Sequence, residues 1–210
     1  LLHMQDSLNL LFLLRLIQYH LFFYLVLIYN TLLRLTQDVF LVFSLLNLDY
    51  PNFEVIIVND GSKDSTLGIL IREFELEEVP YYYIYKIACK PVKRVLRSRN
   101  PLYNRLIVVD KFNGGTKADA MNAGINVAQF DYFVNTDVDC ILAKDTLSKI
   151  ILPVLDSDKQ VIAVGATMRM SNGCVLENGR ISEFNPPNRI IPLFQETEYL
   201  RSYLVSKMGM

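Results

Sequence analysis

An α/β fold, with a mostly parallel sheet and helices on both faces, is predicted for this chain of 210 residues. Two apolar runs rich in β-branched residues, FEVIIVND and LIVVDK, have the length and composition of strands buried on both faces. Helical patterns alternate with such runs over short connections, which is typical of parallel sheets. A chain of this length is expected to form one domain.

Charge, cysteine and histidine content exclude several classes of function. A net charge of −1 gives no general basis for nucleic-acid binding. Cys89, Cys140 and Cys174 lack the spacing of a disulfide framework or a structural zinc site and fit a reducing compartment. Because His3 and His20 both lie in the apolar N-terminal region, a histidine-based catalytic triad in the main domain is excluded.

The N-terminal region is almost continuously apolar over residues 8–35. Its longest run without a charge, Leu16 to Leu33, is at the lower length limit for a membrane-spanning helix. A membrane-associated helix and a buried strand around Phe22 to Tyr29 are the two interpretations, and the helix is preferred. A second helix, Val39 to Leu48, is expected to end before Pro51.

The remaining elements follow from periodicity and from turn residues. A helix is predicted over Thr66 to Glu77, followed by a strand, YYYIYKI. The basic stretch from Cys89 to Arg105 is interpreted as a solvated loop, with a surface for anionic lipid or nucleotide as the alternative. The other predicted elements are a helix from Thr116, a strand in DYFVNTD, a helix over Lys144 to Leu155, a strand over Val161 to Met168, a hairpin over Val175 to Glu183 turning near Asn178-Gly179, and a helix over Ile190 to Met208.

Acidic residues stand at the ends of two predicted strands. Asp60 ends FEVIIVND and Asp137 ends DYFVNTD, so parallel strands would bring both carboxylates to one edge of the sheet. Asp60 taken alone is equally well explained as a turn residue. Asp137 and Asp139 share a face of an extended strand, and two such close carboxylates favour a bound cation. Mg²⁺ or Mn²⁺ with a diphosphate fits this pair.

A glycine pair precedes the predicted helix at Thr116. The free N–H groups and the dipole of a helix N-terminus favour an anion there. Lys117 lies in the first turn, where an acid would be preferred. It therefore either points to solvent or reaches a bound phosphate, and the nearby carboxylates favour phosphate.

Three segments in order, SLLNLDYPNFEVIIVNDGSKDST, NGGTKADAMNAGI and NTDVDCIL, resemble the family 2 glycosyltransferases with the GT-A fold. The likeness covers about Ser44 to Met210 and is strongest to membrane-bound processive members such as poly-N-acetylglucosamine, hyaluronan and cellulose synthases. It implies a UDP-sugar donor, a divalent metal, inversion at the anomeric carbon and a polysaccharide or lipid acceptor. It also implies membrane association, with the catalytic domain in the cytoplasm.

The same resemblance implies roles for single residues. Asp60 would contact the nucleoside, and Lys117 would lie near the donor diphosphate. Asp139 would be the stronger metal ligand, with Asp137 nearer the ribose and the donor sugar. The implied donor-binding residues are Asp60, Gly61, Gly115, Lys117 and Asp137, and the implied metal ligands are Asp139 and Asp137.

Two departures from the family pattern shape the expected domain organisation. Before Ser44 only Tyr29-Asn30 echoes the family's first motif, so residues 1–43 are interpreted as membrane-associated, divergent or not the authentic start. Residues 44–188 are the predicted donor-binding domain, and residues 189–210 an amphipathic interfacial helix. The acceptor-side base is expected beyond Met210, so the chain alone is expected to be inactive. The alternatives are a non-processive transferase acting on a lipid or small acceptor, and a non-catalytic nucleotide-binding module.

Overall fold

The computed structural model describes four stretches of the chain: residues 23–29, 35–137, 140–177 and 180–207. These form two compact units. The described residues of the first are 23–29, 35–39, 51–137 and 140, and those of the second are 40–50, 141–177 and 180–207. The elements in chain order are β1 (Phe23–Tyr29), α1 (Leu35–Leu46), β2 (Phe53–Asn59), α2 (Thr66–Glu73), β3 (Leu76–Val79), β4 (Val92–Ser98), β5 (Leu106–Lys111), α3 (Lys117–Val127), β6 (Tyr132–Asp137), α4 (Thr146–Ile150), α5 (Leu152–Asp156), β7 (Val175–Glu177), β8 (Arg180–Glu183) and α6 (Ile190–Ser202).

The first unit contains a six-stranded sheet in the order β3-β4-β5-β2-β1-β6. Strands β5, β2, β1 and β6 are parallel, whereas β4 runs antiparallel to both β3 and β5. The predicted α/β class with a mostly parallel sheet is therefore confirmed.

The core of this unit lies at the two central strands β2 and β5. Side chains that alternate along these strands are buried on both faces of the sheet, as the continuous apolar runs predict. On one face, small residues of α3 allow close packing of that helix. The cluster there includes Ile56, Val58, Ile107, Val109, Ala120, Ala123 and Val127.

The N-terminal helix preferred from the sequence is wrong for residues 23–29, and the alternative interpretation, a buried strand, is confirmed there. These residues form β1, which pairs in parallel with β2 on one side and β6 on the other, so that Val26 is in register with Ile56 and Asn135. A strand between two others has partners for its backbone groups along its length, and the stretch FYLVLIY has the aromatic and β-branched residues that strands favour. The rest of the predicted membrane-associated stretch, residues 8–22 and 30–34, lies outside the described residues.

Three other predictions in the first unit are corrected. The helix expected to reach Glu77 ends at Glu73, because Glu75 adopts a left-handed backbone (φ 51°) and β3 follows. The stretch 81–87 is not a strand. The basic stretch from Cys89 to Arg105, interpreted as a loop, instead contains β4. Several of its cations pair with acids, including Arg97 with Glu54 at 3.1 Å.

The second unit contains short helices and a hairpin. β7 and β8 pair antiparallel, which confirms the predicted hairpin, whose turn residues lie outside the described part. The helix predicted over Lys144 to Leu155 is divided into α4 and α5 at Ile151, next to a proline in the first turn of α5. Val161 to Met168 forms no strand. α6 ends at Ser202 and continues as a π-helical turn.

Along the described residues, no helix combines the length and the apolar character needed to cross a membrane. The predicted domain boundaries at residues 43 and 188 stay predictions.

Replacing Val26 by proline tests the position of β1. Proline removes a backbone donor in a strand that has neighbours on both sides, so we expect Val26→Pro to lower the free energy of unfolding by at least about 1–3 kcal/mol. Val26→Ile keeps the donor and is the matched control. Urea denaturation measures both. Equal midpoints for the two variants would contradict the placement of β1 inside the sheet.

Candidate functional site

The carboxyl ends of β5, β2, β1 and β6 share one edge of the sheet because these strands are parallel. We call this the carboxyl edge. Lys111 ends β5, Asp60 directly follows β2, and Asp137 ends β6. β1 separates β2 from β6, and Asp137 is level with Val58, two residues before Asp60. The backbones at Asp60 and Asp137 therefore lie about 12 Å apart, across two strand spacings and two residues of strand rise. α3 begins at this edge with Lys117.

A buried ion cluster lies at the centre of the carboxyl edge. The ammonium of Lys111 donates to Asp60 Oδ1 at 2.5 Å, to Asp119 Oδ2 at 2.6 Å and to the carbonyl of Phe112 at 2.7 Å. The side chains of Lys111 and Asp60 are fully buried, and that of Asp119 is 17% exposed. All three N–H groups of the ammonium are therefore used within the protein.

The cluster changes the ionisation of two of its members. Burial disfavours the charged form of Lys111, but hydrogen bonds to Asp119 and Asp60 outweigh it and raise the pKa of Lys111. Burial likewise opposes ionisation of Asp119, yet hydrogen bonds from Lys111 and from the backbone N–H of Lys90 lower the pKa of Asp119. Both groups are thus held in their charged forms near neutral pH.

Asp60 also fixes the glycine loop, residues 113–115. Its Oδ1 accepts from the N–H of Gly114 at 3.0 Å, and its backbone carbonyl accepts from Asn113 Nδ2 at 2.8 Å. Gly61 has φ +71°, and a Cβ there would lie 2.9 Å from the backbone nitrogen of Asn113. A side chain at residue 61 would therefore push the loop away from β2.

A second set of hydrogen bonds ties residues 86–90, which precede β4, to α3. Asp119 Oδ1 accepts from the N–H of Lys90 at 2.8 Å, and Asn122 Nδ2 donates to the carbonyl of Ala88 at 2.9 Å. Asn126 Oδ1 accepts from the N–H groups of Lys86 and Ile87. Residues 119, 122 and 126 lie on one face of a helix. These side chains bond backbone groups of residues 86, 87, 88 and 90, so the end of the predicted strand is tied to α3 and not to a neighbouring strand.

Lys117 and Asp137 form an exposed ion pair at the same edge, with side chains 52% and 53% exposed. Lys117 therefore contacts a carboxylate rather than only solvent, and its predicted contact with a diphosphate stays a prediction. Asp139 lies outside the described residues. Within the described stretches, no group of three histidine, cysteine or acidic side chains is arranged to hold a metal.

The structure brings together most of the residues predicted from the sequence. Asp60 and Gly61 lie against the glycine loop, which contains Gly115, and Lys117 at the start of α3 pairs with Asp137. The predicted roles of these residues toward a ligand stay predictions.

Sequence reasoning missed Lys111 and Asp119. A lysine ending an apolar strand, and an acid three residues after the N-cap Thr116, were the available signals. Neither signal identifies the other residue as its partner.

Glycine at position 114 is required by the buried cluster. A Cβ there would lie 1.9 Å from Asp119 Oδ2, whereas a Cβ at the helical residue Gly68 would have no described atom within 4 Å. We expect Gly114→Ala to lower the free energy of unfolding by about 1–3 kcal/mol. The control Gly68→Ala should raise it by up to about 1 kcal/mol. Thermal unfolding measures both, and a neutral Gly114→Ala would contradict the close approach of Asp119.

Asp119 should give stability a specific dependence on pH. Its folded-state pKa lies below the ordinary 3.8, so its contribution is complete above that value and is lost as the pH falls through the folded pKa. The stability difference between the parent and Asp119→Asn should be constant at pH 5–6 and shrink below about pH 4. Urea unfolding from about pH 6 to about pH 3 measures it. A stability difference that does not change with pH would show that these partners do not lower the pKa of Asp119.

Comparison with known proteins identifies relatives. The profile of "Glycosyl transferase family 2" matches residues 29–86 and 91–206. The poly-beta-1,6-N-acetyl-D-glucosamine synthase of Staphylococcus aureus (strain COL) is 33% identical over 102 residues, which are 49% of this chain and 18% of that synthase. The Staphylococcus epidermidis synthase of the same name is 31% identical over the same length. The matched part thus spans about a fifth of each synthase.

A solved structure is similar with a lower sequence identity. The crystal structure of S. aureus TarS 1-349 aligns with a TM-score of 0.42 and 20% identity, covering 61% of this chain and 31% of that one. This likeness is too low to support further conclusions. The match of the family profile to most of the chain is sufficient: the chain belongs to glycosyl transferase family 2.

Proposed function

We propose that this chain is the donor-binding part of a metal-dependent, inverting glycosyltransferase that uses a UDP-sugar to extend a polysaccharide, as a poly-N-acetylglucosamine synthase does. Family membership gives the coarser statement, a glycosyltransferase with a sugar donor and an acceptor. The observation that carries the proposal is the arrangement at the carboxyl edge. There the buried Asp60 and the exposed Asp137 flank the strand β1, and the glycine loop leads into α3.

Each residue at this edge has a proposed role. Asp60 and Gly61 are proposed to lie beside the nucleoside, at the point where β2 ends and its backbone meets Asn113 of the glycine loop. Gly115 has φ +75°, and a Cβ added there would have no described atom within 4 Å, so the backbone at this residue is open to the diphosphate. The first turn of α3 adds its dipole and the ammonium of Lys117.

The chemistry of Asp137 fits a divalent cation. Its carboxylate is half exposed at the end of a strand, and Mg²⁺ or Mn²⁺ accepts one or two carboxylates together with phosphate oxygens. Asp137 and Asp139 are the residues that would hold the ion. A bound ion would neutralise charge on the leaving diphosphate.

Lys117 is proposed to change partners when the donor binds. In this structure its ammonium contacts Asp137, the carboxylate proposed for the cation. Because a cation and an ammonium compete for one carboxylate, the ion would release Lys117. The freed ammonium lies in the first turn of α3, where it can pair with the diphosphate.

A membrane location and a polysaccharide or lipid acceptor complete the proposal. α6 exposes Ile190 (72%), Ile191 (79%) and Phe194 (73%), and these apolar side chains suit a membrane surface. The catalytic domain is proposed to face the cytoplasm, where nucleotide-sugars are made.

Calorimetry with UDP tests the proposed function. We expect the parent chain to bind UDP in the presence of Mn²⁺, and Asp137→Asn or Asp139→Asn to weaken that binding at least about tenfold, because a ligand of the ion is lost. Asp145→Asn removes an exposed, ion-paired aspartate from the N-cap of α4, and it should bind like the parent. Absence of Mn²⁺-dependent UDP binding by the folded parent would overturn the proposal.

A further inference from the structure

We propose that Lys111 is a positioning residue of the donor site, acting on the donor through Asp60 and Asp119 rather than by contact. The inference rests on the proposed function, because it assigns to that site a residue that supports the donor-binding residues from behind. Lys111 is fully buried, and its three donors are satisfied by Asp60, Asp119 and the carbonyl of Phe112. No donor of the ammonium is left for a ligand.

The first residue that Lys111 positions is Asp60. Oδ1 of Asp60 is occupied by Lys111 and by the N–H of Gly114, whereas Oδ2 is buried and has no hydrogen-bond partner among the described residues. A carboxylate held by one oxygen has its second oxygen in a fixed direction. An unpaired buried acceptor is costly, so the two hydrogen bonds to Oδ1 are what keep this carboxylate in place behind the glycine loop.

The second residue that Lys111 positions is Asp119. Its Oδ2 accepts from Lys111 and its Oδ1 from the N–H of Lys90, so the ammonium connects the start of α3 to residues 86–90. Gly114 lies between the two carboxylates, hydrogen-bonded to Asp60 and lacking the Cβ that would strike Asp119. One ammonium therefore fixes the glycine loop from both sides.

Charge gives Lys111 a further effect on an anionic ligand. One ammonium faces two carboxylates, so removing it would leave two buried negative charges beside the loop proposed for the diphosphate. Replacing Lys111 should therefore weaken binding of a nucleoside diphosphate through both geometry and charge.

Three variants separate these effects. Lys111→Met removes the charge, and Lys111→Arg keeps it but cannot reproduce the compact three-donor geometry in a closed site. Arg97→Met breaks the partly buried pair with Glu54 in the same sheet and is the control for general loss of stability. Circular dichroism establishes that each variant is folded, and Lys111→Arg serves as the test where Lys111→Met does not fold.

The measurements are UDP affinity with Mn²⁺, by calorimetry, and amide hydrogen exchange. We expect both Lys111 variants to lose about tenfold or more in UDP affinity and to exchange faster at the amides of Gly114 and Lys90. Arg97→Met should change neither quantity. Parent-like UDP affinity in folded Lys111→Arg, or an equal loss in Arg97→Met, would overturn the positioning role.

Hydrogen exchange separates this proposal from the function on which it rests. If the parent binds no UDP, the proposed function fails, while exchange at Gly114 and Lys90 still reports whether Lys111 holds the loop. Unchanged exchange at both amides in the folded Lys111 variants would overturn that hold as well.

Discussion

The buried ammonium of Lys111 joins the end of β5, the residue after β2 and the first turn of α3. A buried charge is tolerated only where partners and hydrogen bonds offset its desolvation, so these three elements must keep their relative positions for the cluster to exist. Breaking such a buried pair by removing one partner costs about 3–5 kcal/mol. The cluster therefore constrains the whole carboxyl edge. It also determines the path of the glycine loop. The loop has to pass between Asp60 and Asp119 without a side chain at Gly114.

The same constraint links the sheet to the proposed chemistry. Hydrophobic packing of α3 on β2 and β5 brings the start of the helix to the carboxyl edge. The ion cluster then holds the first turn of that helix, where Lys117 pairs with Asp137. In the buried layer, Lys111, Asp60 and Asp119, every charged group is paired, while Asp60 Oδ2 has no hydrogen-bond partner among the described residues. The exposed layer, Lys117 and Asp137, is the pair proposed to exchange partners with the donor. A fixed inner layer beneath a replaceable outer pair is what tight positioning of an anionic donor requires.

The sequence was sufficient for elements whose pattern is local. β2, β5 and β6 follow from apolar runs bounded by turn residues, and α3 from its N-cap Thr116. β1 was predicted only as the alternative to a helix, because an apolar stretch is compatible with either element until its neighbours are known. β4 was not predicted because basic residues are typical of solvated loops, and the acids that pair with its arginines are distant in sequence. Arg97 and Glu54 are separated by 43 positions.

The buried cluster of Lys111, Asp60 and Asp119 could not be predicted from the sequence for the same reason. Lys111 and Asp60 lie 51 positions apart, and the sequence around either residue does not indicate that the other is its partner. A lysine at the end of a strand is ordinarily expected to reach solvent, because its ammonium is costly to bury. Here the fold supplies two carboxylates and a carbonyl at once, and this number of partners makes burial acceptable. Family motifs predict which residues meet the ligand, whereas the residues that hold them in place become visible only when parallel strands bring distant positions to one edge. The outer layer of such a site can thus be predicted from motif spacing, and its supporting layer requires the sheet.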